Sequence, residues 1–243
     1  MTNVPDAILL CGGAGLRLRS VTGATPKSMS SIDGRPFLEL LLRQLRRYGF
    51  QHVILAVGYQ REVIYSYFGE TAFGLKLTYS AESSPLGTGG ALRNAVGAVK
   101  SDSVLIMNGD SYTDADLSKF VAEHNEAKAD ASVVVVPADG RGDCGSVSVR
   151  GSGELDSFDE KAGFSGARYI NAGIYLIARR MLREITPAIQ VSLEKELLPR
   201  WLENGAHIRA FVHPGVCIDI GTPERYQSAQ ELLANVEAGK SQV

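Results

Sequence analysis

The stretch "LLCGGAGLRLRSVTGATPKS", residues 9–28, carries a short apolar run into Gly12, Gly13 and Gly15 and sets Arg17, Arg19 and Lys27 close behind. A strand that ends in glycines presents its backbone N–H groups unhindered, because residues without Cβ tolerate close approach and positive φ. With cations just beyond, the natural guest is a polyphosphate. Glycine-rich turns after a first strand also serve tight packing, and the glycines alone leave these two uses level. Arg17 and Lys27 tip the reading toward phosphate. The two common phosphate motifs do not fit: a dinucleotide fingerprint needs glycine where Leu18 stands, and a P-loop needs glycine where Pro26 stands.

Outward from this loop, apolar runs alternate with amphipathic patterns. Ala7 to Leu10 reads as a buried strand. Pro36 opens a helix with Leu38, Leu41, Leu42 and Leu45 on one face, stopped by Gly49, and Val53 to Val57 returns as a strand. A helix at 61–68, a strand at 75–79, a helix at 89–99 and a strand at 104–107 continue the rhythm, which predicts a largely parallel sheet covered on both faces. After a helix at 116–128 and a strand at 132–136, the strands at 146–149, 155–158 and 169–177 bring in antiparallel pairing. A helix at 193–203, a strand at 208–212 and a helix opened by Pro223 complete the chain, with no repeat and no hexapeptide array.

The chain has 243 residues, 44% of them hydrophobic and 21% charged, which suits one globular α/β domain over residues 1–243. Lys and Arg total 25 against 27 Asp and Glu, a formal charge of -2 with no basic tail, so nucleic acid is not the expected partner. No stretch approaches the roughly 18 to 20 apolar residues of a membrane span, and residues 1–6 lack the features of a signal peptide. Cys11, Cys144 and Cys217 are far apart and form neither a disulfide framework nor a zinc motif. A cytoplasmic location is expected.

Beyond composition, "GGAGLRLRSVTGATPK" resembles the signature loop of sugar-1-phosphate nucleotidylyltransferases, G-G-x-G-T-R-L followed later by P-K. "PLGTGGALRNA" (85–95), "NGD" (108–110), "FDEK" (158–161), "YINAGIY" (169–175) and "CIDIGTPERY" (217–226) then recur in that family's order. "NGDSY", "SLEKELLPRW" and "DIGTPERY" are most similar to the guanylyltransferases acting on D-glycero-D-manno-heptose 1-phosphate. The resemblance implies a Rossmann-like three-layer α/β/α fold with a mixed, mostly parallel central sheet and no C-terminal β-helix. It also implies small-molecule substrates, an NTP and a sugar 1-phosphate, with homo-oligomers common in the family.

In the implied reaction an anionic sugar phosphate attacks the α-phosphorus of an NTP and pyrophosphate leaves, so positioning and charge neutralisation matter more than a general base. The resemblance assigns Arg17, Lys27, Asp110 and Lys161 to catalysis, and Gly12, Gly13, Gly15, Gly87, Thr88, Gly89 and Asn108, with Arg17 and Lys27, to the nucleotide. It sets Gly145, Glu160, Lys161, Asn171, Gly173 and Glu194 around the sugar phosphate, and makes Asp110 and Asp219 the ligands of Mg²⁺. Several have a plainer alternative: Asp110 and Asp219 suit turns and caps, Thr88 suits a helix cap, and Glu194 suits a helix start. Leu16 and Ser28 depart from the family's Thr and Pro. A glycosyltransferase would show an Asp-x-Asp pair where Asn108-Gly109-Asp110 stands, and a non-catalytic sensor finds support only in the two departures.

Overall fold

The computed structural model describes residues 4–13, 15–138, 145–159, 168–215 and 217–240. In the first half lie β1 (Asp6–Leu10), α1 (Arg19–Thr22), β2 (Ser31–Ile32), β3 (Arg35–Pro36), α2 (Phe37–Arg47), β4 (His52–Val57), α3 (Arg61–Phe68), β5 (Thr71–Ala72), β6 (Leu75–Ala81) and α4 (Gly87–Ala95). The remainder comprises β7 (Ser103–Asn108), β8 (Ser111–Thr113), α5 (Leu117–Ala127), β9 (Ala131–Pro137), β10 (Ser146–Val149), β11 (Leu155–Asp159), β12 (Tyr169–Ala178), α6 (Arg179–Glu184), α7 (Leu198–Glu203), β13 (Ile208–Val212), β14 (Cys217–Asp219) and α8 (Pro223–Lys240).

At the centre, β7, β1, β4 and β6 lie side by side and parallel. Their residues alternate between two cores. Ala7, Leu9, Val53, Leu55, Leu105 and Met107 face one helical layer, while Ile8, Ile54, Ala56, Val104 and Ile106 face the other. Strands apolar on both faces belong in a sheet sandwiched by helices, which is why these runs are nearly continuous in Val, Ile and Leu. In α2 the predicted leucine face is fully buried, each of Leu38, Leu41, Leu42 and Leu45 being 0% exposed. Each such side chain contributes about 1.5–3 kcal/mol of burial.

Beyond β7 the sheet turns antiparallel, as expected: β12 runs against β7, β9 runs against β12, and β13 lies parallel to β9. Because β1 is flanked by β4 on one side and β7 on the other, the chain reverses its direction of winding beside β1. The loops leaving β1 and β7 therefore diverge and leave a crevice at their carboxyl ends. Among the described residues no helix is long and apolar enough to cross a membrane.

Several elements differ from the sequence expectation. The helix expected at 193–203 is a wide π turn at Leu193–Leu197 followed by α7. Pro199 has no N–H to donate back along the helix, and the turn before it closes instead by Leu197 N–H donating to the Ser192 carbonyl at 3.1 Å. The helix expected at 89–99 begins at Gly87 and ends in a 3₁₀ turn at Val96–Ala98. Finally, β8 and β14 are three residues each, too short for periodicity to reveal.

His124, near the end of α5, is 5% exposed, with Nδ1 2.8 Å from Ser132 Oγ. Burial pushes its pKa from the ordinary 6.5 down to about 4. Unfolded chains take up this proton below about pH 6.5 while the folded one resists it, so stability falls with pH across that window, by at most roughly 3 kcal/mol. Urea midpoints near pH 7 and near pH 5 should differ in this direction, and His124→Gln should reduce the difference; an unchanged pH slope in that variant would contradict the assignment.

Candidate active site

A cavity of about 630 Å³ runs across the carboxyl ends of the four parallel strands. Asn108 at the end of β7 and Asp110 just past it bound the cavity, with Gly12 and Gly13 beyond β1, Tyr59 beyond β4 and Glu82 beyond β6.

At one end stands a cluster of charges. Lys27 Nζ donates to Asp110 Oδ2 at 2.5 Å, and the other Asp110 oxygen accepts from Ser111 Oγ at 3.1 Å. β8 and β14 pair antiparallel with Asp219 opposite Ser111, and the Ile220 N–H donates to the Asp110 carbonyl at 3.0 Å. Two acids far apart in the chain are thereby set at neighbouring positions of one ladder. Asp219 accepts from Gly221 N–H at 2.8 Å and from Arg225 Nη1, which lies 3.2 Å from both of its oxygens. A methyl group on Gly221 would stand 2.7 Å from Asp219 Oδ1 and 3.6 Å from Lys27 Nζ, so both ion pairs share one small volume.

Among the described residues no group of three or more His, Cys, Asp and Glu side chains is placed to hold a metal ion. Two carboxylates at neighbouring positions of one ladder nevertheless suit a divalent cation that takes few protein ligands and completes its shell with phosphate oxygens.

Gly15 adopts φ +58, and a Cβ there would stand 2.9 Å from Lys27 Cβ. This glycine is thus required twice, for its backbone angle and for the room it leaves Lys27. Arg17 occupies the exposed 3₁₀ turn Leu16–Leu18 and does not line the cavity. Leu16 is 69% exposed, whereas Ser28 is buried and lines the cavity beside Lys27.

Gly87 and Thr88 line the cavity at the start of α4. Gly89 does not; it is buried, its N–H donating to the Val191 carbonyl at 2.9 Å. Thr88 does not cap the helix. Its hydroxyl donates to Glu194 Oε2 at 2.6 Å and accepts from Leu193 N–H at 2.8 Å, so it retains one lone pair and no proton for a ligand.

Glu194 is 7% exposed and does not line the cavity. It also accepts from Tyr175 Oη at 3.2 Å, and Tyr175 Oη accepts from Asn171 Nδ2 at 2.6 Å. Asn171 Oδ1 in turn accepts from the Gly173 N–H at 3.0 Å, and the Asn171 N–H donates to the Gly145 carbonyl at 3.0 Å. A Cβ on Gly173 would stand 2.7 Å from Asn108 Nδ2, which puts β12 directly against Asn108. Residues expected on the nucleotide side and on the sugar side therefore belong to one hydrogen-bonded chain. Tyr175, its middle member, is 0% exposed and carries no motif signal beyond its place in "YINAGIY". Glu160 and Lys161 lie outside the described residues.

Glu82 was not singled out from sequence, although it follows a strand at the same end of the sheet as Asp110. Its Oε2 accepts from the Leu86 N–H at 3.2 Å, and its Oε1 lies 2.8 Å from where a Cβ on Gly12 would stand. The carboxylate therefore leans back from β6 across the ends of β4 and β1, and burial pushes its pKa up. Cys11, 3% exposed, has its thiol pushed up to about 12 by burial and stays protonated near neutral pH.

A family model for nucleotidyl transferases matches residues 6–236. The chain belongs to this family. It is 36% identical over 229 residues, 94% of this chain and 98% of the relative, to D-glycero-alpha-D-manno-heptose 1-phosphate guanylyltransferase of Aneurinibacillus thermoaerophilus. To mannose-1-phosphate guanylyltransferase of Mycobacterium tuberculosis it is 35% identical over 227 residues, 93% of this chain, and it spans 63% of that protein. The crystal structure of HddC from Yersinia pseudotuberculosis complexed with GMP-PN superimposes with a TM-score of 0.82 at 33% identity, covering 95% of this chain and 100% of the other. The Rossmann-like nucleotidyltransferase fold, with its mixed and mostly parallel sheet, is thus shared across the chain.

For a nucleotidyltransferase, losing one of two clustered acids should be felt in turnover more than in folding. Asp110→Ala and Asp219→Ala should each lower turnover roughly a hundredfold or more with little change in melting temperature. Near-normal rates in both variants, measured by pyrophosphate release, would refute the pairing.

Proposed function

We propose that this nucleotidyltransferase moves GMP from GTP to D-glycero-α-D-manno-heptose 1-phosphate, releasing pyrophosphate, and that it works in the cytoplasm with Mg²⁺. The observation that carries the choice of base is Glu82. Guanine presents two adjacent donors, N1–H and the 2-amino group, which match a carboxylate's two acceptor oxygens. Uracil and thymine flank their single donor with carbonyl oxygens, and cytosine sets an acceptor beside its amine, so each would push an acceptor against Glu82. A polar group held in a partly buried position discriminates strongly, because the wrong partner leaves it unsatisfied. Chain-long likeness to a heptose 1-phosphate enzyme supports the choice of sugar.

In this reading the sugar phosphate oxygen is already an anion and needs no base. Lys27 supplies a point charge next to Asp110, and Arg17 a planar fork at the mouth of the glycine loop. Mg²⁺ held by Asp110 and Asp219 would neutralise phosphate charge. Lys161 and Glu160 are assigned to the sugar phosphate from the family pattern, with Asn171 and Gly173 shaping that side. Glu194 supports both sides through Thr88 and Tyr175. A second reading, with mannose 1-phosphate as acceptor, is favoured by the likeness to the mycobacterial enzyme, since Glu82 is silent about the sugar.

Pyrophosphate release from a panel of four NTPs against heptose, mannose and glucose 1-phosphates tests both readings. GTP with the manno-configured heptose should give the highest kcat/KM; a pyrimidine triphosphate in first place would overturn the base assignment, and mannose in first place the sugar. Glu82→Gln should lower kcat/KM for GTP about ten- to a hundredfold while affecting UTP little. Lys161→Ala should raise the KM for sugar 1-phosphate more than that for GTP, and the opposite order would contradict its placement.

A further inference from the structure

At the other end of the central strands, a second cavity of about 470 Å³ opens between the start of β7, the end of α5 and the junction of β12 with α6. Ser103, the first residue of β7, lines it, whereas Asn108, the last, lines the nucleotide cavity; at about 3.3 Å per residue the two are roughly 17 Å apart. The two cavities share no residue.

The lining is strongly cationic. Lys128, Arg179, Arg180 and Arg183 face it, against one lining acid, Asp102. Arg179 is fixed in place, Nη1 donating to the carbonyls of Val99 at 3.1 Å and Lys100 at 3.2 Å and Nη2 lying 3.4 Å from Asp102. Arg180 pairs with Asp130, just outside the lining. Lys128 and Arg183 are exposed and have no ion-pair partner among the described residues. With Asp130 included, four cations meet two acids.

A second observation is independent of these charges. His124 lines the same cavity from a position more than nine-tenths buried, and its Nδ1 is taken by Ser132. Nε2 is its remaining polar atom and has no hydrogen-bond partner among the described residues. That nitrogen is not enclosed by protein atoms, so on the cavity wall it is open to a ligand atom in place of water. Fixed guanidinium groups, free cationic side chains and a recessed polar ring atom together match clustered phosphate oxygens.

We propose that this cavity is a second ligand site, separate from the nucleotide cavity, for a phosphorylated small anion carrying at least two negative charges. The cavity is large enough for a sugar phosphate or a mononucleotide, and its excess positive charge favours an anion over a neutral sugar. None of its residues belongs to the catalytic cluster, so the site is independent of the substrate assignment above.

The imidazole NMR resonances of the full-length protein supply a local reading, since the chain has 4 histidines and His124→Gln identifies the signal of interest. Titration with inorganic pyrophosphate should shift the His124 resonance saturably. In Lys128→Ala/Arg183→Ala the half-saturation concentration should rise about tenfold or more, as expected for two lost charge-assisted contacts, while turnover stays within about twofold of the parent. Inorganic phosphate and AMP as further probes would rank the ligand's charge and size. An unmoved His124 signal, a shift reproduced by sodium chloride at matched ionic strength, or identical titrations in parent and double variant would overturn the proposal, the last because it would trace the shift to the nucleotide cavity.

Discussion

Two carboxylates brought to neighbouring positions of one ladder repel one another unless cations offset their charge. The active end of this molecule depends on that offset. Asp110 leaves the last of the parallel strands and Asp219 ends a three-residue strand, and the short β8–β14 ladder holds their backbones together. Lys27 and Arg225 each neutralise one of them. Gly15, by leaving room for Lys27, ties the glycine loop to the same cluster. Charge balance, ladder and loop are therefore one device at the carboxyl ends of the central strands.

A second constraint is continuity between α4, the π turn and β12. Thr88 at the start of α4, Glu194 in the π turn, Tyr175 and Asn171 in β12 form an unbroken series of hydrogen bonds. A buried carboxylate at the centre of such a series is tolerated because three hydroxyl groups donate to it, those of Thr88, Ser192 and Tyr175. Pro199, by opening the helix into a wide turn, helps give Glu194 its position, which a regular helix over the same residues would alter.

The central strands have a cavity at each end. Their carboxyl ends open at the reversal of winding beside β1, where the cavity of about 630 Å³ forms. Their other ends carry the cationic cavity beneath α5 and α6. Since β7 and β12 are hydrogen-bonded along Ser103 to Met107, a single rigid pair of strands reaches from one cavity toward the other.

Much of this was legible in the chain itself. Apolar alternation, the leucine face of α2, Gly49 after it and the position of Asp110 after a strand are local properties, set by the period of the backbone and by single-residue preferences. The ordered motifs likewise marked the family. Other features were decided only by tertiary structure. Nothing local to Asp219 says that it meets Asp110, because β8 and β14 are too short to have a period and pair across a hundred residues of intervening chain. Glu82 carries no signal of its own in the chain and reaches the cavity only because β1, β4 and β6 lie side by side, and Tyr175 is marked only by its place in "YINAGIY". Thr88 and Gly89 carried a family motif, yet the packing of residues 191–197 against α4 set the hydroxyl on Glu194 and the glycine out of the cavity. Sequence determines what each segment prefers to be; which side chains share a volume is settled by long-range pairing, whose energy exists only once the chain has folded.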